Sequence, residues 1–466
     1  MTRRRKTMPE LKIQNPATGK SVASLPADDT RSVKAKYAAA RAAQPRWAAV
    51  PLRKRLDCLK RFRAAVIENA EDLAAILTTE VGKPISQSRN ELKGVVGRLD
   101  FFLAETARTL KSRTVDGGPG APMQEVITHE PLGVVANVSA WNYPWFVGAN
   151  VFVPALAAGN AVLYKPSEFA TLTGLAIARL LHQSGVPDDV FIPLVGGGEV
   201  GAALVRQPVD GIFFTGSYAT GQHIAATVRG RMVKLQLELG GKDPAYVCED
   251  ANVAAAAASL ADGAFYNAGQ SCCAVERIYV HASVFDAFAK AFVKEVKAFK
   301  VGDPQKDSTY LGPLARAPQL KVLEAQVKDA VKKGARVLAG GKRMPGPGSW
   351  FEPTVLVDVD HTMAVMREES FGPVIGLMAV KDDDEALALM NDTDYGLTAG
   401  VYTPDRARAD RLLARAKAGS VYWNCCDRVS PRLPWSGVGH SGIGLTLSTY
   451  GIEAFTRPKA WHLRAP

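Results

Sequence analysis

The stretch Gly133–Lys165, G-V-V-A-N-V-S-A-W-N-Y-P-W-F-V-G-A-N-V-F-V-P-A-L-A-A-G-N-A-V-L-Y-K, decides the fold. Gly133–Val138 and Ala161–Lys165 are apolar runs of strand length, and Val147–Leu156 between them reads as a helix. Strands that are continuously apolar, rather than alternating, are buried on both faces, which is the signature of a parallel sheet covered by helices. The uncharged run Pro131–Tyr164 is long enough to suggest a membrane span. Pro131, Pro144 and Pro154 break it, and Asn137, Asn142, Asn150 and Asn160 would each need partners in lipid, so a soluble core with no membrane partner is expected.

Working outward, the alternation continues. Leu172–His182 reads as a helix, Val190–Val195 and Gly211–Phe214 as strands, Thr220–Arg229 as a helix and Val233–Leu237 as a strand. This is a doubly wound, parallel-sheet, nucleotide-binding layout of the α/β class. After Gly240-Gly241 the alternation restarts from Pro244–Val247, with the alanine-rich helix Val253–Asn267, the strand Glu276–Val280 and the helix Val284–Phe299. Strands Pro373–Val380, Ala399–Tyr402 and Gly419–Asn424 follow, so a second α/β domain is expected. Upstream, Thr30–Arg46, Arg53–Thr79 and Gln87–Lys111 read as amphipathic helices, preceded by a turn at Asn15–Gly19.

The chain has 466 residues, 47% hydrophobic and 22% charged, which suits two or three soluble domains. Its net charge of +11 would fit a nucleic-acid binder, but the basic residues are interspersed with acids apart from Arg3, Arg4, Arg5 and Lys6, and no nucleic-acid motif appears. That basic start is followed by Pro9-Glu10-Leu11-Lys12 rather than an apolar segment, which argues against an export signal. The six cysteines are Cys58, Cys248, Cys272, Cys273, Cys425 and Cys426; none lies in a C-x-x-C, and adjacent pairs are unsuited to zinc, so no metal site is expected. A reduced, cytoplasmic setting fits them.

Phe265–Arg277 reads F-Y-N-A-G-Q-S-C-C-A-V-E-R, with E-L-G-G-K at Glu238–Lys242 and W-N-Y-P at Trp141–Pro144. A thiol, a carboxylate and a side-chain amide are the parts needed to add to a carbonyl: a nucleophile, a base for water and an oxyanion donor. With these motifs the chain resembles the NAD(P)-dependent aldehyde dehydrogenase superfamily over nearly its whole length. N-P-A-T-G at Asn15–Gly19, E-V-G-K-P at Glu80–Pro84, E-E-S-F-G-P at Glu368–Pro373 and Asn424 in G-S-V-Y-W-N are similar to further family landmarks. The resemblance implies a cofactor domain over residues 1–112 and 132–240 and a catalytic domain over 241–440. It also implies a small β oligomerisation element from 113–131 and 441–466. Met123–His129 and the C-terminal tail would leave open strand edges in a monomer, so a homodimer or homotetramer is expected.

For the cofactor, Gly196–Gly201 literally matches G-x-G-x-x-G. The acid that this fingerprint requires about 20 residues on is missing, since Asp210 comes too early. Phe214-Thr215-Gly216-Ser217 with Gly221 fits better, either as a phosphate-facing helix start or as a turn capped by Ser217. The resemblance assigns that turn to the cofactor, together with Ser139, Trp141, Lys165, Ser167, Glu168, Gly197, Leu239, Glu369 and Phe371. A carboxylate at Glu168 would accept both adenosine ribose hydroxyls and repel a 2′-phosphate, which favours NAD; Lys165 beside it leaves NADP possible.

In the reaction so implied, Cys272 rather than Cys273 adds to the aldehyde. Asn142 holds the oxyanion, hydride leaves to the nicotinamide, and Glu238 deprotonates the water that hydrolyses the thioester. A free thiol has a pKa of about 8.5, so the site must activate it. Two other functions compete: a CoA-acylating dehydrogenase, which would not need Glu238 as a base for water, and a non-catalytic protein on the same fold. The chain departs from the family in Pro434-Trp435-Ser436-Gly437, and in Thr446, which stands where a glutamate is common. The resemblance also implies a substrate funnel of Tyr143, Val147, Asn150, Phe265, Ser271, Val429 and Trp435. Arg428 and Arg432 would grip a carboxylated substrate if they face inward and are solvated surface charge if they do not.

Overall fold

The structure, a computed structural model, describes residues 10–117 and 122–464; the basic cluster Arg3–Lys6 lies outside the described residues. Two large sheets organise the chain. The first runs, edge to edge, Gly442–Ile443, Lys234–Glu238, Gly211–Thr215, Val134–Val138, Ala161–Lys165 and Phe191–Pro193. All of its pairs are parallel except the short antiparallel contact of Gly442–Ile443 with Lys234–Glu238. Val134–Val138 comes first in sequence but sits inside the sheet. The chain winds from it to one side through Ala161–Lys165, then returns to the other side through Gly211–Thr215. The strand order therefore reverses between Val134–Val138 and Gly211–Thr215, and the crevice beyond their carboxyl ends is where ligands bind in such sheets.

The helices follow local rules. Asp29 opens Thr30–Ala49 with a capping box shared with Ser32. Pro144 begins Pro144–Ala158 and Gly159, at φ 98°, closes it in the left-handed conformation. This helix is apolar nearly all round and is buried accordingly. The expected single helix Arg53–Thr79 is two, Leu52–Glu68 and Ala70–Val81. Asn69 divides them: its side-chain amide donates to the Ala65 carbonyl and so competes with helix continuation. A helix also spans Gly198–Val205, beginning within the glycine-rich stretch Gly196–Gly201.

The second sheet runs Arg336–Ala339, Thr354–Val357, Val374–Val380, Val275–His281, Asp243–Val247, Thr398–Tyr402 and Ser420–Trp423, antiparallel only at its first pair. A third, antiparallel sheet joins Thr456–Arg464, Met123–Pro131 and Arg113–Asp116. Residues 442–453 lie against the first domain: Gly442 pairs with Glu238, and Ile452 is buried in the core that holds Leu99 and Phe152. No described helix is long and apolar enough to cross a membrane. Among the described residues no group of three His, Cys, Asp or Glu side chains is arranged to hold a metal ion.

Candidate active site

The cysteine pair lies in a turn between the helix Val253–Phe265 and the strand Val275–His281. Asn267 (φ 54°), Ala268 (φ 55°) and Gly269 (φ 69°) form a run of left-handed residues before it. Two of them carry a Cβ, so the conformation costs free energy and needs outside support. That support is a buried network. The Asn267 N–H donates to Gln87 Oε1 (3.0 Å), its side chain donates to the Gln270 carbonyl, and the Ala315 N–H donates to Gln270 Oε1 (2.9 Å). Asn267 also donates to the Asn142 carbonyl (3.3 Å), which ties this turn to the first domain.

The turn gives the two thiols different surroundings. Cys272 is partly exposed and Cys273 is buried. Cys273 Sγ donates to Asp427 Oδ1 (3.0 Å). Its contact with Cys272 and its burial hold the Cys273 thiol well above the ordinary range, so Cys273 stays protonated. Burial also pushes Asp427 up to about 7.

A cavity of ≈ 470 Å³ is lined by Asn142, Glu238, Cys272, Cys273 and Trp435, among others. Asn142, 4% exposed, precedes the helix Pro144–Ala158 at the end of the crevice loop. Glu238 ends the strand Lys234–Glu238 and is 6% exposed. Burial pushes its carboxyl up to about 7, opposed by a hydrogen bond donated from Thr446 Oγ1. Thr446 is held in turn by a two-way backbone pairing with Trp435 (2.8 and 2.9 Å). A carboxylate near neutrality, a thiol and an amide around one cavity can add a nucleophile to a carbonyl, hold the resulting oxyanion and activate water.

A second cavity of ≈ 330 Å³ opens at the strand reversal. Ser139, Trp141, Lys165, Ser167, Glu168, Gly216 and Ser217 all line it. Trp141 faces this cavity while its neighbour Asn142 faces the other, so the two are one residue apart along the chain. Ser217 caps Tyr218–Val228, accepting from the Thr220 N–H. A Cβ at Gly216 would strike the Phe214 ring, and one at Gly221 would lie 2.7 Å from Leu239 Cδ2, so these glycines let helix and strand approach closely. Lys165 Nζ is 3.5 Å from Glu168 Oε2, and burial lowers the Lys165 amine from its ordinary value. Arg316 Nε, also at this cavity, is buried without a hydrogen-bond partner among the described residues. An orphaned guanidinium N–H beside a capped helix start fits an anionic, phosphate-bearing ligand.

Gly197, Gly221, Leu239, Glu369 and Phe371 do not line that cavity. Gly197 caps Gly198–Val205, whose Gly198 and Gly201 face the cavity instead. Gly221 and Leu239 pack on each other behind it. Glu369 is folded onto Gly240-Gly241, accepting from the Gly241 N–H (3.0 Å), and burial raises it to about 8. Phe371, at φ 46°, packs edge-on against Trp141 with ring centres 5.5 Å apart.

Of the expected funnel, Tyr143, Val147, Asn150, Ser271, Val429 and Trp435 line the cysteine cavity. Phe265 does not: it is buried against Phe292 and Phe299, and Tyr266 takes the place at the cavity wall. Phe265 falls on the buried face of the helix with Leu260, Ala261 and Ala264; the helix ends there rather than at Asn267, and Tyr266 follows it at the cavity wall. Arg428 lines the cavity and Arg432 does not. Sequence reasoning passed over Arg98 and Asp427, both at the cavity. Arg98 was discoverable: in Ile85–Thr109 it falls on the stripe of Leu92, Val95, Leu99 and Phe102, where a charge is out of place.

The sequence profile of the Aldehyde dehydrogenase family matches residues 3–461. The chain is 35% identical over 451 residues to the glutarate-semialdehyde dehydrogenase of Pseudomonas putida, covering 96% of this chain and 93% of that one. Among solved structures, an Escherichia coli NADP-dependent enzyme superposes with a TM-score of 0.95 at 32% identity, covering 98% of this chain and 95% of that one. PnpE in complex with nicotinamide adenine dinucleotide superposes at 0.94 with 33% identity, covering 98% and 94%.

Proposed function

Since this chain belongs to the aldehyde dehydrogenase family and oxidises an aldehyde to the acid with NAD(P), we propose that Cys272 is its nucleophile, Asn142 its oxyanion donor and Glu238 its general base. The observation that carries this assignment is that the three side chains, 96 and 34 residues apart in sequence (238 − 142 and 272 − 238), border one cavity. Cys272 Sγ bonds to the aldehyde carbon and the carbonyl oxygen becomes an oxyanion. The Asn142 amide donates to that oxygen, a contact typically worth about 2.7–4 kcal/mol in the transition state. When bound, the dinucleotide supplies the hydride acceptor that turns the adduct into a Cys272 thioester. Glu238, held near neutrality by burial, removes a proton from the water that hydrolyses the thioester. Cys273, buried and donating to Asp427, is less suited to that role than the partly exposed Cys272.

We assign the dinucleotide to the cavity at the strand reversal. Ser139, Trp141, Lys165, Ser167, Glu168, Gly216 and Ser217 line it there, and Gly197, Gly221 and Leu239 shape the elements behind it. Glu369 and Phe371 are assigned to the cofactor by the family resemblance; Phe371 reaches the cavity through its contact with Trp141, and Glu369 is folded onto Gly241. Glu168 supports NAD over NADP, because a carboxylate beside the ribose repels a 2′-phosphate; the NADP dependence of the Escherichia coli neighbour is the reading it competes with. The antiparallel sheet supports a homodimer or homotetramer built on residues 113–131 and the tail, since Met123, Trp461 and Leu463 are exposed along it. A cytoplasmic setting fits six cysteines that are all free.

The test is NADH and NADPH formation with an aldehyde panel, wild type beside Cys272→Ala. Turnover with NAD that disappears in the variant is expected. Turnover that survives Cys272→Ala would refute the assignment.

A further inference from the structure

Arg98 is a buried cation whose hydrogen bonds are incomplete. It is 5% exposed, on the Ile85–Thr109 helix, and lines the cavity that holds Cys272. Its Nε donates to Asn150 Oδ1 (3.1 Å), and its guanidinium lies 3.6 Å from the centre of the Phe146 ring. Phe146 in turn stacks on Tyr143. Among the described residues no carboxylate lies within 4.0 Å of it, and its two terminal nitrogens donate to nothing.

The other buried cations are treated differently. Lys83 is paired with Glu91, Lys242 with Glu276 (2.6 Å) and Lys165 with Glu168 (3.5 Å). Arg55 donates to the carbonyls of Ala157, Ala48 and Val50, and Arg277 to those of Lys242, Leu389 and Met390 and to Tyr279 Oη. A guanidinium has five N–H donors in a planar fork; the terminal nitrogens of Arg98 are unpaired at a residue that lines the cavity, where they are available to an incoming acceptor. Neighbouring carboxylates are engaged elsewhere: Glu91 with Lys83 and the Trp145 N–H, Glu238 with Thr446, Asp427 with Cys273. Burial lowers Arg98 to about 10, still charged at neutral pH. A charged fork aimed into the same cavity as the nucleophile is suited to a planar anion carried by the substrate.

We propose that Arg98 is a specificity-determining residue that receives the terminal carboxylate of a short ω-carboxy aldehyde whose carbonyl end lies at Cys272. The assignment rests on the aldehyde-oxidising reading of that cavity. Asn150 is then a positioning residue, fixing the fork through Nε and leaving its open edge to the substrate.

The experiment compares 4-oxobutanoate with butanal, a neutral aldehyde of the same chain length, on the full-length enzyme. Wild type, Arg98→Met and Arg98→Lys are assayed for kcat/KM on each, with succinate as an inhibitor of butanal oxidation. The expected result is a wild-type preference for 4-oxobutanoate that Arg98→Met lowers by on the order of 10²–10³-fold, as for a buried charge pair losing one partner. Butanal turnover stays within about threefold, Arg98→Lys recovers part of the loss, and succinate inhibits wild type far better than Arg98→Met. Equal wild-type rates on both aldehydes would overturn the assignment while leaving aldehyde oxidation intact. Equal loss on both aldehydes in Arg98→Met and Arg98→Lys would also overturn it, because Arg98 would then serve the fold or Glu238. Failure of wild type on both would remove the underlying reading.

Discussion

Replacing Thr446 by valine should slow thioester hydrolysis and move its pH dependence upward. Thr446 Oγ1 donates to Glu238, and that bond opposes the burial that raises the carboxyl to about 7. Valine keeps the shape and removes the donor. A hydrogen bond to a charged group is worth about 1.5–3 kcal/mol, and one pKa unit is about 1.4 kcal/mol, so Glu238 should rise by ~1–2 units. At pH 7 the ionised fraction would fall from ~50% to ~1–10%, and water activation with it, by ~5–50-fold. The proposed assignment uses this base in the hydrolysis step, so addition of Cys272 and hydride loss should be spared. The assay is pre-steady-state NADH formation across pH 6–10. A burst of full amplitude should precede a slowed linear phase that recovers above pH 9. A variant whose acidic limb stays where the wild type's lies, or whose loss alkaline pH does not restore, would refute the reasoning.

Two further outcomes follow from the same site. Asn142→Ala should lower kcat by ~10²–10³-fold with far less change in aldehyde KM, since an oxyanion donor acts on the transition state; a pure KM effect measured by steady-state kinetics would speak against that role. Glu238→Gln should stabilise the protein at alkaline pH. The folded carboxyl, at about 7, is raised above the unfolded 4.5, so its stability contribution is complete below pH 4.5 and is lost as pH rises through 7. Glutamine does not ionise, so it should gain up to ~3 kcal/mol over wild type at pH 8 and lose most of that gain near pH 5. Thermal melts at both pH values read this directly, and a variant no more stable at pH 8 would contradict it.

What the sequence made legible was local. Val134–Val138 and Ala161–Lys165 are buried on both faces, and an unbroken apolar run states that without reference to anything else. The turns at Asn142, Glu238 and Cys272 carry motifs whose spacing survives as sequence. What stayed hidden depends on side-chain bonds and boundaries that apolar periodicity does not record. Asn69 splits a helix through a bond to its own preceding turn, yet apolar periodicity continues across it. Phe265 and Tyr266 are adjacent aromatics; the first lies on the buried face of its helix and the second, just past the helix end, lines the cavity. Thr446 looked like a lost glutamate, but 208 residues from Glu238 in sequence it supplies a hydrogen bond to that carboxyl, the proposed base.

The Ile85–Thr109 helix shows how such hidden chemistry separates from ordinary structure. Glu91 and Arg98 lie seven residues apart, two helical turns, on one buried stripe. From the sequence they are equivalent anomalies, charges where leucine is expected. In the fold they differ: Glu91 accepts from Lys83 and from the Trp145 N–H, which closes the start of Pro144–Ala158 beside Asn142, whereas Arg98 keeps a single bond and an open fork. A buried charge whose partners are all protein has a structural explanation in hand. Arg98, which keeps one hydrogen bond and the face of the Phe146 ring and borders the cavity of Cys272, is the buried charge on this helix left open to an incoming group, as proposed above.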